Sequence, residues 1–244
     1  MFNDFSFNGF KLSELGAVIR QRPTHIISLP SLDFVEKPFK SGDEIINYGR
    51  YKNIGYKIPI RALPSFCDLT LEEFTKKLSE WLVTENYGIY RDTYNNGYFR
   101  YGIVSEISEV IGVESDVYEC EITFNFQPFL YSDEGQNLLT YLSTNNSINL
   151  TLVNPEIVPS EPILKITGSG NFVMTINGKN IYLTDVENYI VIDKKIEDVY
   201  DSNGSCNGKI NAVELPFLTT GENTISITGG SAFTVEITPN WRRL

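Results

Sequence analysis

Apolar and polar residues alternate along much of this chain with the period of two that marks a half-buried strand. Within residues 117–126, Cys120, Ile122, Phe124 and Phe126 share one face, and Glu119, Glu121, Thr123 and Asn125 the other. Residues 56–62 alternate as well, and Pro59 hints at an edge strand because proline cannot donate to a ladder. Shorter candidate strands span 5–7, 16–20 and 24–28, punctuated by Pro23 and Pro30. Residues 89–92 lead into Asn95-Asn96-Gly97, a hairpin signal, and 98–111 then read as a longer strand. One stretch has a different period. Leu71, Phe74, Leu78, Trp81 and Leu82 recur at helical spacing, with Asp68 or Thr70 available as the cap. Glu72 and Glu73 sit in the first turn, where carboxylates suit the helix dipole. Leu78 and Trp81 are expected to face a sheet, so the first half predicts a helix on antiparallel strands, an α+β unit.

After Asn145-Asn146 the pattern predicts strands alone. Leu164 and Ile166 alternate with Lys165 and Thr167; Phe172, Met174 and Ile176 precede the hairpin pair Asn177-Gly178. Ile181 and Leu183, Ile190 and Ile192, Ile225 and Ile227, and Phe233, Val235 and Ile237 continue the rhythm. Short alternating strands between Gly and Asn turns predict a β-sandwich or jelly roll. The polar run 132–137 marks the expected boundary. This divides the chain into a first domain over 1–135, a linker over 136–147 and a sandwich over 148–244. Within the first domain, residues 29–56 carry aromatics without a clean period. They read equally as an extended arm that packs against something other than its own domain and as a long loop over the core.

Composition narrows the function. Hydrophobic residues are 41% of the 244, enough to bury a core. The net charge of −11 argues against nucleic-acid binding, which needs Lys and Arg to displace phosphate counterions, and against an anionic membrane surface. No apolar run approaches the ~20 residues that span a bilayer. The opening Met1-Phe2-Asn3-Asp4-Phe5 lacks the basic and apolar parts of a secretory signal, so folding in a cytosol is expected. The aromatics, led by 15 Phe and 14 Tyr, suit strands and interfaces alike.

Candidate chemistry is sparse. Cys67, Cys120 and Cys206 form no C-x-x-C pair and are expected as reduced thiols in or near a core. The lone histidine, His25, has no metal-ligand partners at suitable spacing, and no local motif makes it half of a Cys–His pair. Glu72-Glu73 and Asp133-Glu134 read as solvated carboxylates rather than a glycosidase pair. Gly168-Ser169-Gly170 precedes a strand instead of a helix, so it is no phosphate loop. Asp193, Asp198 and Asp201-Ser202-Asn203-Gly204 lack the EF-hand spacing and its final Glu, and read as a polar turn. No catalytic residue, cofactor or metal site is predicted. An exposed tyrosine can stack on a sugar, and Tyr182, Tyr189 and Tyr200 are the sandwich's candidates, though strand packing explains them equally well.

Taken in order, several segments resemble the distal tail proteins of long-tailed phages that infect Gram-positive bacteria. They are Phe7-Asn8-Gly9, Tyr48-Gly49-Arg50-Tyr51-Lys52-Asn53, Trp81-Leu82, Arg91-Asp92, Tyr98-Phe99-Arg100 and Ile122-Thr123-Phe124-Asn125-Phe126-Gln127-Pro128-Phe129. In the second half, Asn154-Pro155, residues 161–171, Gly221-Glu222-Asn223-Thr224-Ile225 and Pro239-Asn240-Trp241-Arg242-Arg243-Leu244 are similar to that family's galectin-like sandwich. Phe126 stands where relatives often carry Cys, and 29–42 does not align clearly. The resemblance implies a mostly β protein in which an α+β belt domain builds a ring, usually of six copies, and a galectin-like sandwich follows. It implies a virion component of the tail tip, assembled in the host cytoplasm, that links the tail tube protein to the hub or tail-associated lysin and to receptor-binding or other baseplate proteins. DNA would pass through without specific binding, and no membrane would be involved. A ring of identical subunits needs a heterologous interface, and the arm's Phe34, Phe39, Tyr48 and Tyr51 are the expected contacts. The acidic charge suits a lumen that repels DNA phosphates and suits plain solubility equally. The competing expectation is a carbohydrate-binding module that recognises cell-wall polysaccharide through the sandwich.

Overall fold

Helix α1 (Leu71–Leu82) begins after Thr70, one of the two caps that the sequence offers. The Thr70 hydroxyl accepts from the Glu73 N–H at 3.3 Å, and the Glu73 carboxylate accepts from the Thr70 N–H at 2.9 Å, a reciprocal capping box. Phe74, Leu78 and Leu82 turn into the core and are fully buried. The Trp81 ring stacks on Phe5 at 5.3 Å and meets Phe10 edge-on at 5.1 Å, while its Nε1–H donates to the Phe7 carbonyl at 2.9 Å. The helix thus lies on a sheet, as its spacing predicts. The computed structural model describes residues 3–24, 26–63, 65–114 and 117–244, without the Glu114 side chain. It divides into two units, the first running to Leu130 and the second from Tyr131 to Arg243.

The first unit contains β1 (Phe5–Phe7), β2 (Phe10–Lys11), β3 (Ala17–Ile19), β4 (Pro30–Val35), β5 (Glu44–Tyr51), β6 (Ile54–Ala62), β7 (Gly88–Asp92), β8 (Tyr98–Ile107), β9 (Ile111–Glu114) and β10 (Val117–Phe126). Antiparallel pairing gives the order β2-β1-β7-β8-β10-β6-β3, with β9 beside β10. β4 and β5 pair only with each other. Cys120, Ile122, Phe124 and Phe126 are all buried, as the alternation predicts. Gly88 and Gly102 face each other across β7 and β8, and the Phe7 and Phe126 rings occupy the space their missing side chains leave.

The strand expected over 24–28 is absent from the described residues. Residues 24 and 26–28 form no strand, and Ile26 and Ile27 are exposed; the apolar run leads into the β4–β5 hairpin and has no sheet beside it. β6 pairs with β10 along its length but with β3 only at Ile60, Arg61 and Ala62, so at Pro59 its other side is an edge, as the proline hints. Pro59 survives there because the β3 ladder stops beside it. The Arg20 N–H donates to the Pro59 carbonyl at 2.8 Å, proline has no N–H to return, and β3 ends at Ile19.

The second unit holds the end of β11 (Leu130–Ser132), then β12 (Leu139–Leu142), β13 (Ser147–Asn154), β14 (Ile163–Thr167), β15 (Gly170–Ile176) and β16 (Lys179–Val186). It continues with β17 (Tyr189–Asp193), β18 (Asp198–Asp201), β19 (Gly204–Ser205), β20 (Ile210–Asn211), β21 (Gly221–Gly229), β22 (Thr234–Thr238) and β23 (Arg242–Arg243). One sheet runs β12-β22-β14-β17-β18-β19 and the other β13-β21-β15-β16-β20. The alternating residues named above fill the space between them: Leu164, Ile166, Phe172, Met174, Ile192, Ile227, Val235 and Ile237 are all fully buried. Asn177 and Gly178 both adopt positive φ, 49° and 79°, the type I′ pattern that their sequence predicts. Asn223, within β21, is a buried hub. Its side chain donates to the Thr219 and Gly221 carbonyls at 2.8 and 2.9 Å and accepts from the Thr219 N–H at 2.7 Å.

The expected linker over 136–147 is instead part of the sandwich, since β12 pairs with β22 through four residue pairs. The polar run before it is tied down as well. The Asn240 N–H donates to the Gly135 carbonyl at 2.8 Å and the Ser132 N–H to the Trp241 carbonyl at 2.9 Å. A Cβ on Gly135 would come within 2.4 Å of the Trp241 nitrogen. Polar composition suggested a linker, but these groups serve as backbone partners for the chain's last residues.

Candidate functional site

The β4–β5 hairpin stands out because every residue from Asp33 to Arg50 is exposed. Its register pairs Leu32 with Asn47, Asp33 with Ile46, Phe34 with Ile45 and Val35 with Glu44. Cross-strand partners share a face, so Phe34 and Ile45 lie on one side and Val35 and Ile46 on the other. All four are exposed, Phe34 by 63% and Ile45 by 59%. An isolated two-stranded ribbon is marginal in water, and this one presents apolar side chains on both faces. Contiguous exposed apolar surface of this kind marks an interaction site.

The hairpin's own bonds are polar and local. The Tyr48 hydroxyl donates to the Asp33 carboxylate at 2.5 Å, and that hydrogen bond, with the carboxylate's charge behind it, raises the phenol's pKa. Lys37 pairs with Glu44 near the tip. Gly49, at φ +68°, sits where the register slips, and its N–H is held by the Asn47 side chain at 2.9 Å. Phe39 at the tip is fully exposed and itself at φ +63°, a conformation unusual for an aromatic residue. At the base, the Lys52 N–H donates to the Leu29 carbonyl at 3.0 Å, and Ser28 bonds the Lys52 carbonyl.

Of the four arm residues that sequence singled out, Phe34, Phe39 and Tyr48 are open to solvent. Tyr51 packs edge-on against Phe129 of its own unit at 5.5 Å, so it anchors the arm instead of extending it. The sequence pattern does not single out Val35, Ile45 and Ile46. The signal for them was the turn-forming Pro38 to Gly42 between two short apolar runs, a hairpin pattern hidden by the lack of a polar face.

The three sandwich tyrosines do not converge. Tyr182 is on β16 in one sheet, while Tyr189 and Tyr200 are on β17 and β18 in the other. Lys165 lies over the Tyr189 ring at 5.6 Å. Burial, then the Asp193 charge, raises the Tyr200 pKa. His25 lies outside the described residues. Cys67 and Cys120 are buried and Cys206 is half-buried, all as free thiols; burial pushes the Cys120 thiol up to about 12. Among the described residues no group of three His, Cys, Asp or Glu side chains is placed to hold a metal ion. No helix among them is long and apolar enough to cross a membrane. On the outer face of the first unit's sheet, Arg20 and Arg61 converge on Glu119. Burial raises that carboxyl's pKa, but the two guanidinium groups outweigh it and hold the group below the ordinary carboxylate value.

No protein-family model and no curated protein matches this sequence. Solved structures do match. The SPP1 Dit (gp 19.1) protein, described as a paradigm of the hub adsorption apparatus in phages infecting Gram-positive bacteria, aligns at 13% identity and a TM-score of 0.72, over 97% of this chain and 98% of that one. A chain of the phage p2 baseplate, in its activated conformation with strontium, aligns at 8% identity and a TM-score of 0.50, over 97% of each chain. The calcium form of that baseplate gives 9% identity and the same TM-score, over 97% of this chain and 98% of that one. At such low identity the likeness is one of architecture, and over nearly its whole length this chain has the fold of the SPP1 Dit protein.

Proposed function

We propose that this chain is a structural component of a phage tail tip, assembling through its first unit into a closed ring of six copies that joins the tail tube to the baseplate. The observation that carries this reading is the near-complete match in fold to a phage hub protein, spanning both units rather than one shared module. The hairpin supplies the physical means. Its two exposed apolar faces are available for burial against another molecule, and a heterologous contact with a neighbouring copy closes a ring when the rotation closes. Phe34, Phe39 and Tyr48 then bury against the next subunit, with Tyr51 fixing the arm's root on Phe129.

On this reading the partners are the tail tube protein, the hub or tail-associated lysin and receptor-binding or other baseplate proteins, and DNA passes through the lumen unbound. The chain performs no chemistry of its own. Deleting residues 31–44 and measuring mass by light scattering, with negative-stain imaging, tests the assembly. Annuli from the intact chain and none from the deletion are expected. A ring that persists without the hairpin would overturn this account.

A further inference from the structure

Apart from the hairpin, the sheet edges among the described residues are short or guarded: β6 is unpaired beyond β3 over residues 54–58 but carries Lys57 and Pro59, and β16 is unpaired on either side of its two pairs with β20 but carries Lys179 and Asp185. The first unit's sheet ends in β2, of two residues, and β3, of three; in the sandwich β19 and β20 have two residues each and β12 has four. Short edge strands are one of the ways proteins avoid unwanted strand pairing. β13 is different. It is an edge strand of eight residues, Ser147–Asn154, about 26 Å long at ordinary strand rise. It contains no charged residue and no proline, and its eight pairs with β21 run without a register shift. The devices that guard an edge are missing from it.

The unused bonding groups can be identified. The Gly229 N–H donates to the Asn146 carbonyl at 3.0 Å, so bonded pairs with β21 fall at 146, 148, 150 and 152. The N–H and C=O groups of Asn149, Thr151 and Val153 therefore point away from β21 into the open edge. Exposed apolar residues lie on β13 and close to its ends in sequence: Val153 is 59% exposed, Ile157 77% and Leu142 77%.

We propose that β13 is a pairing edge for a second copy of this chain, added antiparallel about a two-fold axis at Thr151. The strand is self-complementary in that register. Thr151 meets its own copy, and Asn149 meets Val153 of the second copy, giving about six new backbone hydrogen bonds. Although each chain carries a net charge of −11, this edge is a neutral strip, so two copies meet there without like charges opposed. The contact is isologous and uses residues of the second unit only; it is separate from the ring contact of the hairpin and joins two assemblies or two free chains.

Sedimentation velocity on the full chain, over about two decades of protein concentration, tests this. The intact chain is expected to show reversible doubling of whatever assembly it forms. Thr151→Pro removes one outward N–H without touching the β21 ladder, and Thr151→Lys sets two ammonium groups opposite each other on the axis. Each is expected to weaken doubling at least tenfold while leaving the circular dichroism spectrum unchanged; should the proline variant unfold, the exposed lysine variant decides. Deleting 31–44 is expected to abolish rings and leave doubling intact, so the two contacts fail separately. An intact chain that never doubles, one whose edge takes only a foreign strand, or doubling that survives Thr151→Lys would overturn the proposal.

Discussion

Replacing Gly102 by alanine should destabilise the first unit through one steric contact. The backbone there is ordinary, so alanine meets no conformational penalty, but its Cβ would lie 2.4 Å from Cδ1 and Cε1 of Phe126. Relief to an ordinary contact of 3.4 Å requires the ring to recede by about 1 Å. It has nowhere to go. Phe124 lies parallel to it at 5.2 Å, Tyr90 packs at 4.7 Å, Tyr56 at 5.6 Å, and the Arg100 guanidinium sits 5.9 Å from its centroid. Overpacking of this kind costs about 1–3 kcal/mol. In a unit of this size, about 2 kcal/mol lowers the thermal midpoint by roughly 6–10 °C. Differential scanning calorimetry of the full chain reads the shift. Because the cause is one ring, Phe126→Leu in the Gly102→Ala background should restore part of the loss, with a coupling of about 1 kcal/mol in the double-mutant cycle. A shift below about 1 °C for Gly102→Ala, or strictly additive effects, would refute the reasoning.

Other outcomes follow from the same structure. Thr70→Ala removes half of the capping box and should cost about 1 kcal/mol in urea denaturation, whereas Thr70→Ser should be close to neutral. The Glu119 carboxyl has a folded pKa below its unfolded value, so its contribution is present above the unfolded pKa and is lost as pH falls through the folded one. Urea midpoints should therefore decline below about pH 4, and Glu119→Gln should flatten that decline. Tyr56 behaves oppositely: burial, then the Asp92 charge, raises its phenol to about 12, so its contribution is complete below the unfolded pKa and is lost as pH rises toward 12. Absorbance titration should find this phenol ionising late, and Tyr56→Phe should extend stability in alkali. Cys120 should stay unreactive toward a thiol reagent at neutral pH until the chain is unfolded, because its thiolate is disfavoured by burial.

Local periodicity alone determined much of this molecule. The helix and its cap, the inward residues of β10 and of the sandwich strands, and the turn at Asn177-Gly178 were all legible, because each depends on contacts between near neighbours or on one buried face. Tertiary structure decided what depends on long-range partners. Residues 136–147 have linker composition, yet 139–142 pair with a strand almost a hundred residues later, and no local property announces such a match. Pro59 has an edge residue's chemistry, and only the fold shows that β3 stops one residue short of it and leaves that side of β6 without a strand. In the arm, apolar residues on both faces of a ribbon cancel the alternation that reveals a strand, so a hairpin read as a loop without period. The same holds for the unguarded edge of β13: its sequence shows a strand, and only the fold shows that one side of it has no strand beside it among the described residues.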